Sequence, residues 1–88
     1  GAYAVWAMVD GQRMPAMMNI GTRPTFEGKQ QTLEVHILKD VGNLYGQKMT
    51  VEFVRRLRAE QRFGSRDELV AQLESDKKIT EEVLMKDN

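Results

Sequence analysis

The sequence has no cysteine, a single histidine, two prolines and six aromatic residues among 88 positions. Without cysteine no disulfide can reinforce the fold and no thiolate can hold a metal. The longest apolar run, Ala2–Val9, is eight residues long, against the roughly 20 that a membrane-spanning helix needs. No signal-peptide pattern is present, so a soluble, cytoplasmic chain with no membrane association is expected. Nor is there an excess of charge of one sign: 13 Lys and Arg oppose 13 Asp and Glu. That balance argues against a general polyanion binder, whose affinity comes from neutralising phosphates with surplus cations. At this length one domain is expected, burying only about 60–65% of the surface its unfolded chain exposes.

The charge is unevenly placed. Residues 46–64 carry Lys48, Arg55, Arg56, Arg58 and Arg62 against Glu52 and Glu60, whereas residues 65–88 carry four bases against seven acids. A basic loop region is followed by an acidic helix.

Most of the chain has the period of strands. In Tyr3–Val9 both alternating sets are apolar, as suits a strand covered on both faces. Asp10-Gly11 accepts the positive φ angles of a type I′ turn, so Gln12–Ile20 should return antiparallel, with Pro15 placing that strand at an edge or bulge. Residues 21–30, with glycines near both ends and Pro24 inside, have the composition of a loop. Gln31–Leu38 alternates as a half-buried strand, Asp40–Gly46 has turn chemistry, and Lys48–Val54 alternates again. A loop is expected over Arg55–Gly64. Ser65 with Glu68 then forms a capping box, opening a helix through about Leu84 on the stripe Leu69, Val70, Leu73, Thr80, Val83 and Leu84, loosened near Asp76–Ile79. The expected class is mainly β: a small antiparallel barrel or sheet with one C-terminal helix packed on it.

Three groups of residues carry possible chemistry. Glu34 and His36 share one face of a strand; the carboxylate could serve as a general base, although a solvated polar face is the commoner meaning of such a pattern. Two ligands at this spacing fall short of a metal site. In Asn19–Phe26, Gly21 permits a tight turn, Arg23 supplies a fixed cation, and Thr22 and Thr25 supply hydroxyls, a combination suited to phosphate or simply to a connection stiffened by proline. The segment Arg55–Phe63 could hold an anion or stack a planar ring, or grip single-stranded nucleic acid, though most such runs are only solvated. The six methionines are expected as core filler.

Taken together, GAYAVWAMVDGQRMPAMMNIGTRPTF, TLEVHILKD, NLYGQKMTVEFVRRLRAEQRF and SRDELVAQLESD resemble the riboflavin kinase domain at the C-terminus of bacterial bifunctional riboflavin kinase/FAD synthetases. The resemblance implies a six-stranded antiparallel Greek-key barrel with a C-terminal helix, here incomplete by one or two strands. It implies transfer of the γ-phosphate of Mg-ATP to the ribityl 5′-hydroxyl of riboflavin, giving FMN and ADP. The family's E-x-H strand falls on Leu33-Glu34-Val35-His36, making Glu34 the expected general base. Asn19, Gly21, Thr22 and Arg23 would lie on the nucleotide side, and Arg58 and Phe63 in a flap beside the flavin. The family's upstream G-x-P-T-A-N motif, whose Thr and Asn hold the Mg2+ and phosphates, has no counterpart here, since Phe26-Glu27 follows Pro24-Thr25. No metal ligand is therefore expected in residues 1–88. The resemblance also implies a longer parent with an N-terminal adenylyltransferase domain, and little or no kinase activity for the 88 residues alone. An alternative is a non-catalytic small barrel binding flavin, nucleotide or single-stranded nucleic acid through Arg55–Arg62; no nucleic-acid partner is expected on the leading reading.

Overall fold

A computed structural model describes residues 1–39 and 48–87. Four strands, β1 (Ala2–Val9), β2 (Gln12–Thr25), β3 (Gly28–Ile37) and β4 (Thr50–Arg58), precede one helix, α1 (Arg66–Lys86). The sheet order is β3-β2-β1-β4 with every neighbouring pair antiparallel. This is Greek-key order, in which two hairpins are followed by a strand that returns beside the first. The sheet is not closed, so the barrel is incomplete, as expected. The Asp40–Gly46 turn lies outside the described residues.

Asp10 and Gly11 have φ of 51° and 76°, as the type I′ turn requires. The β2 strand is interior, not an edge. Pro15 is tolerated because it stands one residue beyond Ala16↔Ile37, the last β2–β3 register pair, where no ladder bond from its nitrogen is needed. The expected loop over 21–30 is instead one long hairpin, paired from Ala16↔Ile37 to Thr25↔Gly28 and turning at Phe26-Glu27. Pro24 fits because pairs alternate outward from the turn, which aims its nitrogen at the side of β2 that β1 no longer covers past Asn19. Phe26 at the tip is fully exposed. The β4 strand likewise runs to Arg58, four residues past the expected end, and starts at Thr50. Its register with β1 shifts twice, leaving Val54 and Leu57 without partners and setting Arg55 and Arg58 opposite Ala4 and Ala2.

The two faces of the sheet bury different things. On one, Val5, Ala7, Ala16 and Met18 form a core with Tyr3, Ile20, Val35, Ile37, Met49 and Val51 packed against it, and Tyr3 meets Phe53 edge to face at 5.3 Å. On the other, α1 contacts β1, β2 and β4. Small residues of β1, Ala2 and Ala4, let the helix approach, and both are buried. The end of α1 is tied down by Trp6, whose Nε1 donates to Asp87 at 2.8 Å, with Arg13 over the indole at 4.2 Å. Met14, Met17 and Met18 are core filler, but Met85 is largely exposed.

Ser65 caps the helix, its hydroxyl accepting from Glu68 N at 3.2 Å, while the Glu68 carboxylate accepts from Gly64 N at 2.8 Å. Replacing Ser65 with Ala should cost about 0.5–2 kcal/mol of helix stability, measured by urea unfolding followed by circular dichroism. The helix runs unbroken through Asp76–Ile79. Asp76 and Thr80 interrupt the apolar stripe but are buried, and the Thr80 hydroxyl donates to the Asp76 carbonyl at 2.7 Å.

Candidate active site

The helix leaves a hollow against the sheet. Strand alternation puts Asn19, Glu34 and His36 on the face that α1 covers, and Asn19 is the register partner of Glu34. Leu69, Leu73 and Asp76 of α1 face them, with Ala2, Met17 and Arg58 completing a cavity of roughly 220 Å3. Past Met17, His36 and Leu73 it continues into an apolar groove of roughly 400 Å3, walled by Ile37, Leu38 and Val70 with Lys39, Glu74 and Lys77 at its rim. That volume is within the range that small-molecule sites occupy. It also explains why Leu69 and Val70, counted in the apolar stripe, are 39% and 44% exposed: they line the hollow without filling it.

One wall is built around a buried carboxylate. Asp76 is 1% exposed. Arg58 Nε donates to its two oxygens at 3.1 and 3.0 Å, and Arg58 Nη2 donates to Oδ2 at 2.8 Å. Gln72 Nε2 donates to Oδ1 at 3.0 Å. Arg58 Nη1 donates to the Ala59 carbonyl at 3.2 Å, and its guanidinium lies 5.8 Å from the Phe63 ring. Bidentate pairing of this kind fixes the guanidinium plane as well as its position. Beyond the wall, Phe63 lines a separate polar depression with Gln61, Arg62, Glu68, Ala71, Gln72 and Ser75.

The structure thus brings Glu34, Asn19 and Arg58 to one hollow and puts Phe63 on the far side of Arg58. Gly21 and Thr22 lie further along β2, where Thr22 N and Oγ1 donate to the Glu60 carboxylate at 2.8 and 3.4 Å. Arg23 is exposed on the projecting hairpin, away from Glu34. Among the described residues no three His, Cys, Asp or Glu side chains stand together to hold a metal ion, so the chemistry available comes from the chain's own carboxylate, amide and guanidinium.

Sequence reasoning missed two residues of this arrangement. Asp76 had a signal: an acid at a stripe position between Leu73 and Thr80 is buried if the helix is intact, and a buried carboxylate requires a cation. Glu60 had none, because its partner is a backbone amide set by the register of β2. Glu60 straps the segment after β4 to β2. Replacing it with Ala should speed hydrogen exchange at the Thr22 amide by several-fold, read by NMR, while changing stability by no more than about 1 kcal/mol.

The family model for flavokinase, described as riboflavin kinase, matches residues 1–84. The chain belongs to the riboflavin kinase family. Over 77 residues it is 47% identical to a bifunctional riboflavin kinase/FMN adenylyltransferase of Escherichia coli strain K12, covering 86% of this chain and 25% of that protein. A protein of the same name from Bacillus subtilis is 38% identical over 80 residues, covering 88% and 25%. The riboflavin kinase match therefore spans about a quarter of the length of these curated relatives. A crystal structure described as a macrolide-efflux protein from Streptococcus pneumoniae superposes with a TM-score of 0.84 at 33% identity, over 92% of this chain and 27% of that one. Among the described residues no helix is long and apolar enough to cross a membrane.

Proposed function

We infer that this riboflavin kinase domain phosphorylates riboflavin at the ribityl 5′-hydroxyl with ATP, within a longer cytoplasmic protein that also carries an adenylyltransferase domain. The observation that supports this most is the convergence of Glu34, Asn19 and Arg58 on one hollow beneath α1. Glu34 is the general base: its carboxylate accepts the hydroxyl proton as the oxygen bonds to the γ-phosphorus and the bond to the ADP oxygen breaks. Phosphoryl transfer is governed by positioning and charge, and a carboxylate on a paired β-strand is held more narrowly than one on a loop. Asn19, directly across the ladder with its Cβ about 4.5–5.5 Å away, offers an amide to a ribityl hydroxyl. Arg58, fixed by Asp76, and Phe63 flank the flavin ring. Gly21, Thr22 and Arg23 serve the nucleotide side, as exposed amide, hydroxyl and guanidinium donors. Mg2+ accompanies ATP, and the residues that would hold it are expected upstream of Gly1.

The test is direct. The full gene product carrying this sequence, given riboflavin and ATP with γ-labelled phosphate, should yield labelled FMN resolved by chromatography. Labelled flavin that fails to appear, with a correctly folded protein, would exclude the reading.

A further inference from the structure

The charges around the hollow do not favour the product of the proposed reaction. Glu34 and Asp76 each contribute one negative charge, Arg58 contributes one positive, and His36 is formally neutral. Arg58 spends its cationic charge on Asp76 through three contacts to that carboxylate, and the side chain is only 16% exposed. Three of the five guanidinium N–H groups are committed, to Asp76 and to the Ala59 carbonyl, and two remain as donors. The wall therefore presents hydrogen-bond donors with its positive charge already cancelled, beside a carboxylate.

We propose that Asp76 sets the selectivity of this hollow for an uncharged flavin over a phosphorylated one. It acts through Arg58, as a positioning residue that neutralises the guanidinium while holding its plane. This rests on riboflavin phosphorylation as the function. Riboflavin, uncharged at the reacting hydroxyl, meets donors it can use. FMN carries a phosphate dianion at that position and meets a net negative site, which favours its release. Taking away the charge of Asp76 while keeping its shape would leave a guanidinium that cannot deprotonate, uncompensated at the edge of the cavity where the phosphate forms. At an effective dielectric near that of a protein surface, such a charge attracts a dianion appreciably over several ångströms.

The experiment compares FMN inhibition with the riboflavin KM in the full gene product. In Asp76→Asn, FMN should bind on the order of tenfold more tightly relative to riboflavin, and the gain should shrink as salt is raised. In Arg58→Gln/Asp76→Asn, with both charges gone, the ratio should return toward that of the unmodified protein. A purely structural role would weaken both flavins alike, and an unchanged FMN-to-riboflavin ratio in Asp76→Asn would overturn the proposal. Should Asp76→Asn fail to fold by circular dichroism, Leu69→Lys adds a cation to the same hollow from a partly exposed helix position. It should also tighten FMN relative to riboflavin, and an unchanged ratio there overturns the proposal equally. Loss of FMN formation in Glu34→Gln is the control on the functional reading: if that variant stays active, the site itself is misplaced, whatever the ratio shows.

Discussion

Glu34→Gln should lower the rate of FMN formation by about 10^2–10^4-fold, the range that a positioned general base contributes, and should leave the riboflavin KM within a few-fold. The amide keeps the size and one acceptor of the carboxylate, so the β3 ladder and the hollow should survive, and only proton acceptance is lost. Glu34 is exposed on a strand held to β2 by ten register pairs, and nothing in the fold depends on its charge. The loss should therefore appear in kcat. A fall in KM-linked binding with kcat intact would assign Glu34 to substrate binding instead.

The second large effect is on stability. Arg58→Ala should destabilise the packing of α1 by about 3–5 kcal/mol, because it strands a buried carboxylate with Gln72 as its remaining side-chain partner. A domain of this size, at roughly 0.05–0.15 kcal/mol per residue, has only about 4–13 kcal/mol in all. Replacing both members, in Arg58→Met/Asp76→Leu, should cost much less, since removing a buried pair together leaves no charge unpaired. Native-state hydrogen exchange of the α1 amides in the full gene product measures both. Equal losses in the single and double variants would mean that the pair is not what docks the helix.

How far the residues disclosed these arrangements depends on what fixed each one. The strand periods of β1, β3 and β4, the Asp10-Gly11 turn and the Ser65 cap are local, and each was legible from a few neighbouring residues. The hairpin through 21–30 was not: Gly21, Pro24 and Gly28 look like loop punctuation, and only pairing with β3 and the one-sided exposure of β2 beyond Asn19 make a strand acceptable there. The same applies to Arg58, which by composition belongs to a solvated basic run. A register shift at Leu57 sets it opposite Ala2, under the helix, where Asp76 meets it. Asp76 itself looked like a weakness in α1 because its partner lies 18 residues away in sequence. The family resemblance singled out Glu34, Arg58 and Phe63, but the hollow that joins Glu34 to Arg58 and the wall that separates it from Phe63 emerge only from tertiary packing.

The central claim is that riboflavin occupies the hollow between α1 and the β2–β3 hairpin base. Hydrogen exchange with mass spectrometry on the full gene product, with and without saturating riboflavin and ADP, tests it most directly. Protection should concentrate on Leu33–Ile37, on Arg58–Phe63 and on the first half of α1, with little change at the exposed turn around Phe26. Protection confined to other surfaces, with those three segments unchanged, would contradict the account.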